Sequence, residues 1–93
     1  MNKTEQRFLT LVRSNRMQSF YAAQRILNVI STPVLFTAAN ELIHRARYLY
    51  FIDNPYQANY ANQFACRISE VLHSRNQDVR QLDTNIEENI QMF

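Results

Sequence analysis

Both histidines of the chain stand three residues after a glutamate, in Glu41-Leu42-Ile43-His44 and Glu70-Val71-Leu72-His73. The spacing matters because side chains at i and i+3 leave one face of a helix. Two such pairs, joined by glutamates from two further helices, build the di-metal carboxylate centre of ferritin-like bundles. The surroundings argue against that chemistry here. Glu41 and His44 lie off the apolar row Leu35, Leu42 and Leu49, and Glu70 and His73 lie off Ala65, Ile68 and Leu72. Measured from the turn at Asp53 and Asn54, the motifs sit at different depths, so an antiparallel hairpin leaves them roughly 9 Å out of register. Before Glu41, Glu5 is the one other carboxylate. No metal and no cofactor are expected.

Nucleophilic chemistry fares no better. Cys66 and His73 are the available thiol–imidazole pair, but seven helical residues span about 10 Å, well beyond the ~3 Å of proton transfer. Cys66 reads as an unactivated, half-exposed thiol. The chain has no glycine, so no glycine-rich phosphate loop can form. No catalytic residue is expected, and the chain is read as non-enzymatic.

What remains is recognition chemistry. Residues 45–64 hold six aromatic rings, Tyr48, Tyr50, Phe51, Tyr56, Tyr60 and Phe64. Tyr50, Tyr60 and Phe64 fall on or beside apolar rows and are expected in the core. Tyr48, Phe51 and Tyr56 do not, and they cluster with Arg45 and Arg47 around the turn at 53–54. Tyrosine and arginine are enriched among residues that dominate protein interfaces, so these five form the expected partner-binding surface. The alternative is a nucleic-acid regulator using Arg7, Arg13, Arg16 and Arg25, because arginine interleaved with aromatic rings suits single strands. Glu41, four residues before Arg45, is expected to pair with it along the helix.

The elements that must position these residues are helical. Hydrophobic residues make up 46% of the 93 and charged residues 19%, as in a folded single domain spanning 1–93. Tight β-hairpins want glycine at positive φ, and its absence favours helices joined by Asn, Asp, Ser and Pro turns. A first helix is expected from Thr4 to about Asn15, and a second from Met17 to Ile30. A third runs from Pro33 to about Ile52 with Thr32 as cap, and a fourth starts at Pro55 with Asn54 as cap. Three alanines on the fourth, Ala58, Ala61 and Ala65, invite close approach by another helix.

Beyond Tyr56, Ala65, Leu72, Val79, Ile86 and Phe93 recur every seven residues, interleaved with Ile68, Arg75, Leu82 and Asn89. One helix of about 57 Å would satisfy this pattern. A break at residues 73–78, with Asn76 capping a fifth helix, is the rival, and Asp78 in a first turn favours it. The apolar strip Leu72, Val79, Leu82, Ile86, Ile90 and Phe93 is expected to pair two copies into a dimer, with Arg75 and Asn89 fixing register; the competing arrangement folds the segment back as a fifth helix that completes the chain's own core. Residues 1–50 carry seven basic and two acidic side chains, residues 51–93 three and six; this asymmetry suits contact between copies.

No apolar run approaches the ~18–20 residues that cross a bilayer, so no membrane contact is expected. The lone Cys66 fits a reducing cytoplasm. The chain is therefore read as an all-α bundle of four or five helices. It binds a protein partner, in the manner of the small adaptors, chaperones or inhibitors of bacteria and their phages, and also binds itself.

Overall fold

A computed structural model describing residues 1–14 and 16–93 places five α-helices in the chain. They are α1 (Lys3–Arg13), α2 (Met17–Gln24), α3 (Thr32–Phe51), α4 (Pro55–Ser74) and α5 (Arg80–Met92), with a 3₁₀ turn at Leu27–Val29. No strand occurs among the described residues. The all-α bundle expected from composition is the fold.

α1 starts with a capping box. Asn2 Oδ1 accepts the Glu5 N–H at 2.8 Å, and Glu5 Oε1 accepts the Asn2 N–H at 3.4 Å, so two N–H groups that a helix start leaves unpaired are satisfied reciprocally. The second Glu5 oxygen accepts the Ser31 N–H at 3.0 Å, tying the start of α1 to the start of α3. α1 ends at Arg13; Asn15, where its end was expected, lies outside the described residues.

α2 is shorter than its apolar spacing implied, stopping at Gln24. Three β-branched residues follow it, Ile26, Val29 and Ile30, each a weak helix former. The Arg75 guanidinium then takes the carbonyls. It donates to Ile30 at 2.7 Å, Asn28 at 3.1 Å and Leu27 at 3.4 Å, and to Thr32 Oγ1 at 3.3 Å. Arg75, expected on a seam between copies, instead fastens the end of α4 to the turn before α3.

α3 and α4 form the most extensive helix pair. Ala58, Ala61 and Ala65 are fully buried, as are Leu35, Ala38, Leu42 and Ala46 opposite. Small side chains on α4 let the helices approach closely. Asn54 and Pro55 begin α4 as expected, Asn54 Oδ1 accepting the Gln57 N–H at 3.4 Å. Each helix of the pair ends in the same way. Asp53 and Asn76 adopt φ of 62° and 61°. Asn54 N–H reaches Leu49 C=O and Gln77 N–H reaches Leu72 C=O, while Asp53 and Asn76 donate to Tyr50 and His73. These are Schellman stops, with aspartate and asparagine in the left-handed position that glycine usually fills. Asn76 thus closes α4, where it was expected to open α5.

The break at 73–78 turns α5 back along α4. Leu72, Val79, Leu82 and Ile86 are buried in the chain's own core, and Ile90 and Phe93 are exposed. The strip expected to join two copies is consequently not a continuous outer surface. Asn89 is fully buried. Its Oδ1 accepts Arg47 Nε at 2.6 Å, and its Nδ2 donates to Ile43 C=O at 3.1 Å and Asn62 Oδ1 at 3.0 Å. Asn62 Nδ2 donates in turn to Ile86 C=O at 3.3 Å. The asparagine read as fixing register between copies sets the register of α5 on α3 and α4 within one chain.

Candidate functional site

The residues with chemical potential are scattered. Glu41 is engaged by Arg13 from α1, whose Nε and Nη2 donate to its two oxygens at 3.0 and 2.7 Å. That hydrogen-bonded pairing is the main cause that holds the Glu41 carboxyl below its ordinary value, with the charge of Arg45, the expected partner, adding a smaller effect in the same direction. His44 and His73 are exposed. Among the described residues no three His, Cys, Asp or Glu side chains gather into a metal-binding group. Cys66 is exposed on α4. Partial burial, then Glu70 and Asp83 nearby, push its thiol pKa upward, so it is protonated at neutral pH and a poor nucleophile.

Both arginines of the expected partner surface make contacts within the chain. Arg45 Nη1 donates to Val12 C=O at 2.7 Å, closing the last turn of α1. Arg47 serves Asn89 and meets Glu88 at 3.2 Å, which also balances an acidic residue near the end of α5. Neither guanidinium belongs with the rings as a bare contact group.

The rings themselves are outside. Tyr48 is 63% exposed and Phe51 74%, and Ile52 joins them at 52%. Positions i, i+3 and i+4 share one helix face, so Tyr48, Phe51 and Ile52 make one apolar strip at the end of α3. The same face is polar upstream, with Thr37, Asn40 and His44 exposed along it. Beside the strip, Tyr50 contacts Phe51 edge-on at 6.3 Å and stacks on Phe93 at 5.1 Å between ring centres. Ile52 entered the sequence reading only as the expected end of the third helix.

Tyr56 projects elsewhere, to the far side of α4. There it lines a cavity of about 370 Å³ with Arg16, Met17, Phe20 and Tyr60. A second cavity of about 170 Å³ continues from Met17, Phe20 and Tyr60 to Tyr21, Gln24, Phe64 and Arg67. Together they form an aromatic groove between α2 and α4. Tyr60 and Phe64 were expected in the core and Tyr56 at the turn, and nothing in their spacing says that they face Met17 and Phe20 across a gap. On the α5 side of α4 a third cavity, about 460 Å³, is lined by Glu70, Asp83 and Glu87 as well as Cys66, His73 and Ile90.

Of the four arginines considered for nucleic acid, Arg13 is paired with Glu41. Arg7, Arg16 and Arg25 are exposed. No helix of the described residues is long and apolar enough to cross a membrane.

No protein-family model, no curated protein and no solved structure matches the chain. Its function has to be argued from its own residues.

Proposed function

We propose that the chain is a non-enzymatic binding protein of the adaptor, chaperone or inhibitor type, which docks another protein on the exposed strip Tyr48, Phe51 and Ile52. The single observation that carries this reading is that strip, three large apolar side chains more than half exposed on one helix face. Full burial of such a side chain is worth roughly 1.5–3 kcal/mol, and the half or more of each that is exposed is what a bound partner would recover. Tyrosine and phenylalanine supply contact area with few rotatable bonds to freeze, which favours recognition. The lone cysteine supports a reducing, cytoplasmic setting. A second reading, nucleic-acid binding, draws on Arg7, Arg16 and Arg25, which are exposed and have no ion-pair partner among the described residues.

Affinity capture from the native cell, with and without nuclease, tests both. One protein recovered in the presence of nuclease, and lost with the Tyr48→Ala/Phe51→Ala variant, is the expected result. Each alanine should cost about 1–2 kcal/mol of affinity, while the exposed positions leave the melting temperature nearly unchanged. A nuclease-sensitive mixture would favour the second reading. Undiminished capture by the variant would remove the strip from consideration.

A further inference from the structure

We infer that the groove between α2 and α4 receives an acidic peptide with an apolar face, held by its carboxylates at the two ends. The groove is continuous, because its two cavities share Met17, Phe20 and Tyr60. One cavity is lined from the start of α2 and the start of α4, and the other from their later turns. From Tyr56 to Arg67 the α4 wall is about 16 Å long, the length of three turns of a docked helix.

Charge decides the occupant. Arg16 stands at one end and Arg67 at the other, and neither has an ion-pair partner among the described residues. No aspartate or glutamate lines either cavity. Glu70, Asp83 and Glu87 line the separate cavity on the α5 side of α4, Glu70 following Arg67 by three residues. Between the two arginines the lining is uncharged: Met17, Phe20, Tyr56 and Tyr60, with glutamines at the margins. Methionine and tyrosine accommodate varied apolar side chains. A single nucleic-acid strand would also stack on the rings. Its phosphates, however, repeat at every nucleotide and would fall along the middle of the groove, where no cation stands. A peptide can confine its charges to the ends.

The test is selection of a random 12-residue peptide library on the intact chain, followed by direct binding of the enriched peptides. Enriched sequences should be net negative, with apolar residues three or four apart. The Arg16→Glu/Arg67→Glu variant, exposed at both positions and checked for its helical spectrum, should bind them about tenfold more weakly or worse. The same peptides with lysine in place of their end carboxylates should recover binding to that variant. Enrichment of basic or uncharged sequences would overturn the inference, as would no enrichment or equal binding by the variant. So would displacement of the selected peptides by a twelve-residue thymidine oligonucleotide at lower concentration. The Tyr48→Ala/Phe51→Ala variant should bind the peptides as the parent chain does, so failure of the groove and failure of the α3 strip are separable.

Discussion

Replacing Asn89 by leucine should destabilise the fold by about 2.5–5 kcal/mol, although leucine has the same branched shape and more apolar surface. Asn62 Oδ1, 3.0 Å away, belongs to a buried residue, and leaving such an acceptor unpaired costs about 1–3 kcal/mol. Arg47 retains Glu88 and is one-third exposed, so water can replace most of its lost bond at about 0.5–1 kcal/mol. The bond to Ile43 C=O is worth about 1 kcal/mol, since that carbonyl sits within a helix and has a second partner. Leucine has the same branching but bulkier methyl groups, so no cavity opens at this fully buried position and any overpacking adds to the loss. Urea unfolding followed by helical circular dichroism measures the loss against a total of about 5–14 kcal/mol for a chain of this length. The decisive arm is Asn62→Leu/Asn89→Leu. Removing both amides leaves no unpaired amide between them, so the double variant should lose at least about 1 kcal/mol less than the two single losses added together. Additive losses, or a neutral Asn89→Leu, would refute the idea that this network sets the register of α5.

Leu82→Asp/Ile86→Asp should unfold the chain and not convert a dimer into helical monomers, because both side chains are in its own core; light scattering of the parent chain at tens of micromolar should read a monomer. Arg75→Ala should cost about 2–3 kcal/mol by removing donors to three carbonyls and a hydroxyl, and hydrogen exchange should rise first at residues 27–30. Arg75→Lys should restore only part of this, since an ammonium cannot span the same fork of acceptors. Acid should act through Glu5, Glu41 and Asp78. Hydrogen bonds from Ser31, the Arg13 guanidinium and the Arg80 guanidinium respectively lower their pKa values, that of Asp78 to about 2. With folded values below unfolded ones, their stabilisation is complete above about pH 4.5 and fades as pH falls through the folded values. The melting temperature should therefore drop below about pH 4.5, and a rise there would contradict these pairings.

Helix content and most boundaries were readable because they depend on local physics. A chain without glycine, with Asn54-Pro55 and Thr32-Pro33 at helix starts, has few alternatives to helices joined by polar turns. The buried rows of α3 and α4 followed from their period of 3.6. α2 ends before its apolar spacing does for a physical reason: the carbonyls of Leu27, Asn28 and Ile30 are claimed by Arg75, 45 residues from Ile30 in sequence. Glu41 likewise had a local partner in Arg45 and took a distant one in Arg13.

The same division runs through the candidate sites. Tyr48 and Phe51 were identifiable as leftovers from the apolar rows, since a residue off the buried face of a helix has nowhere to go but outward. Arg45 and Arg47 could not be separated from them, because a long cation reaches whichever acceptor the fold presents, here Val12 C=O and Asn89. The heptad in the C-terminal third specified an apolar strip and two polar interruptions, but not what would cover the strip. A period of seven is the same whether the facing helix belongs to a second copy or to the same chain. The left-handed turn at Asn76 reversed the direction of α5, and the contacts of Asn89 with Asn62, Ile43 and Arg47 then seated it on α3 and α4. Sequence determined the apolar rows from Leu35 to Leu49 and from Ala58 to Leu72 that are buried, but not that Ile90 and Phe93 stay exposed; chain reversal and the fit of a buried amide network decided what covers each row.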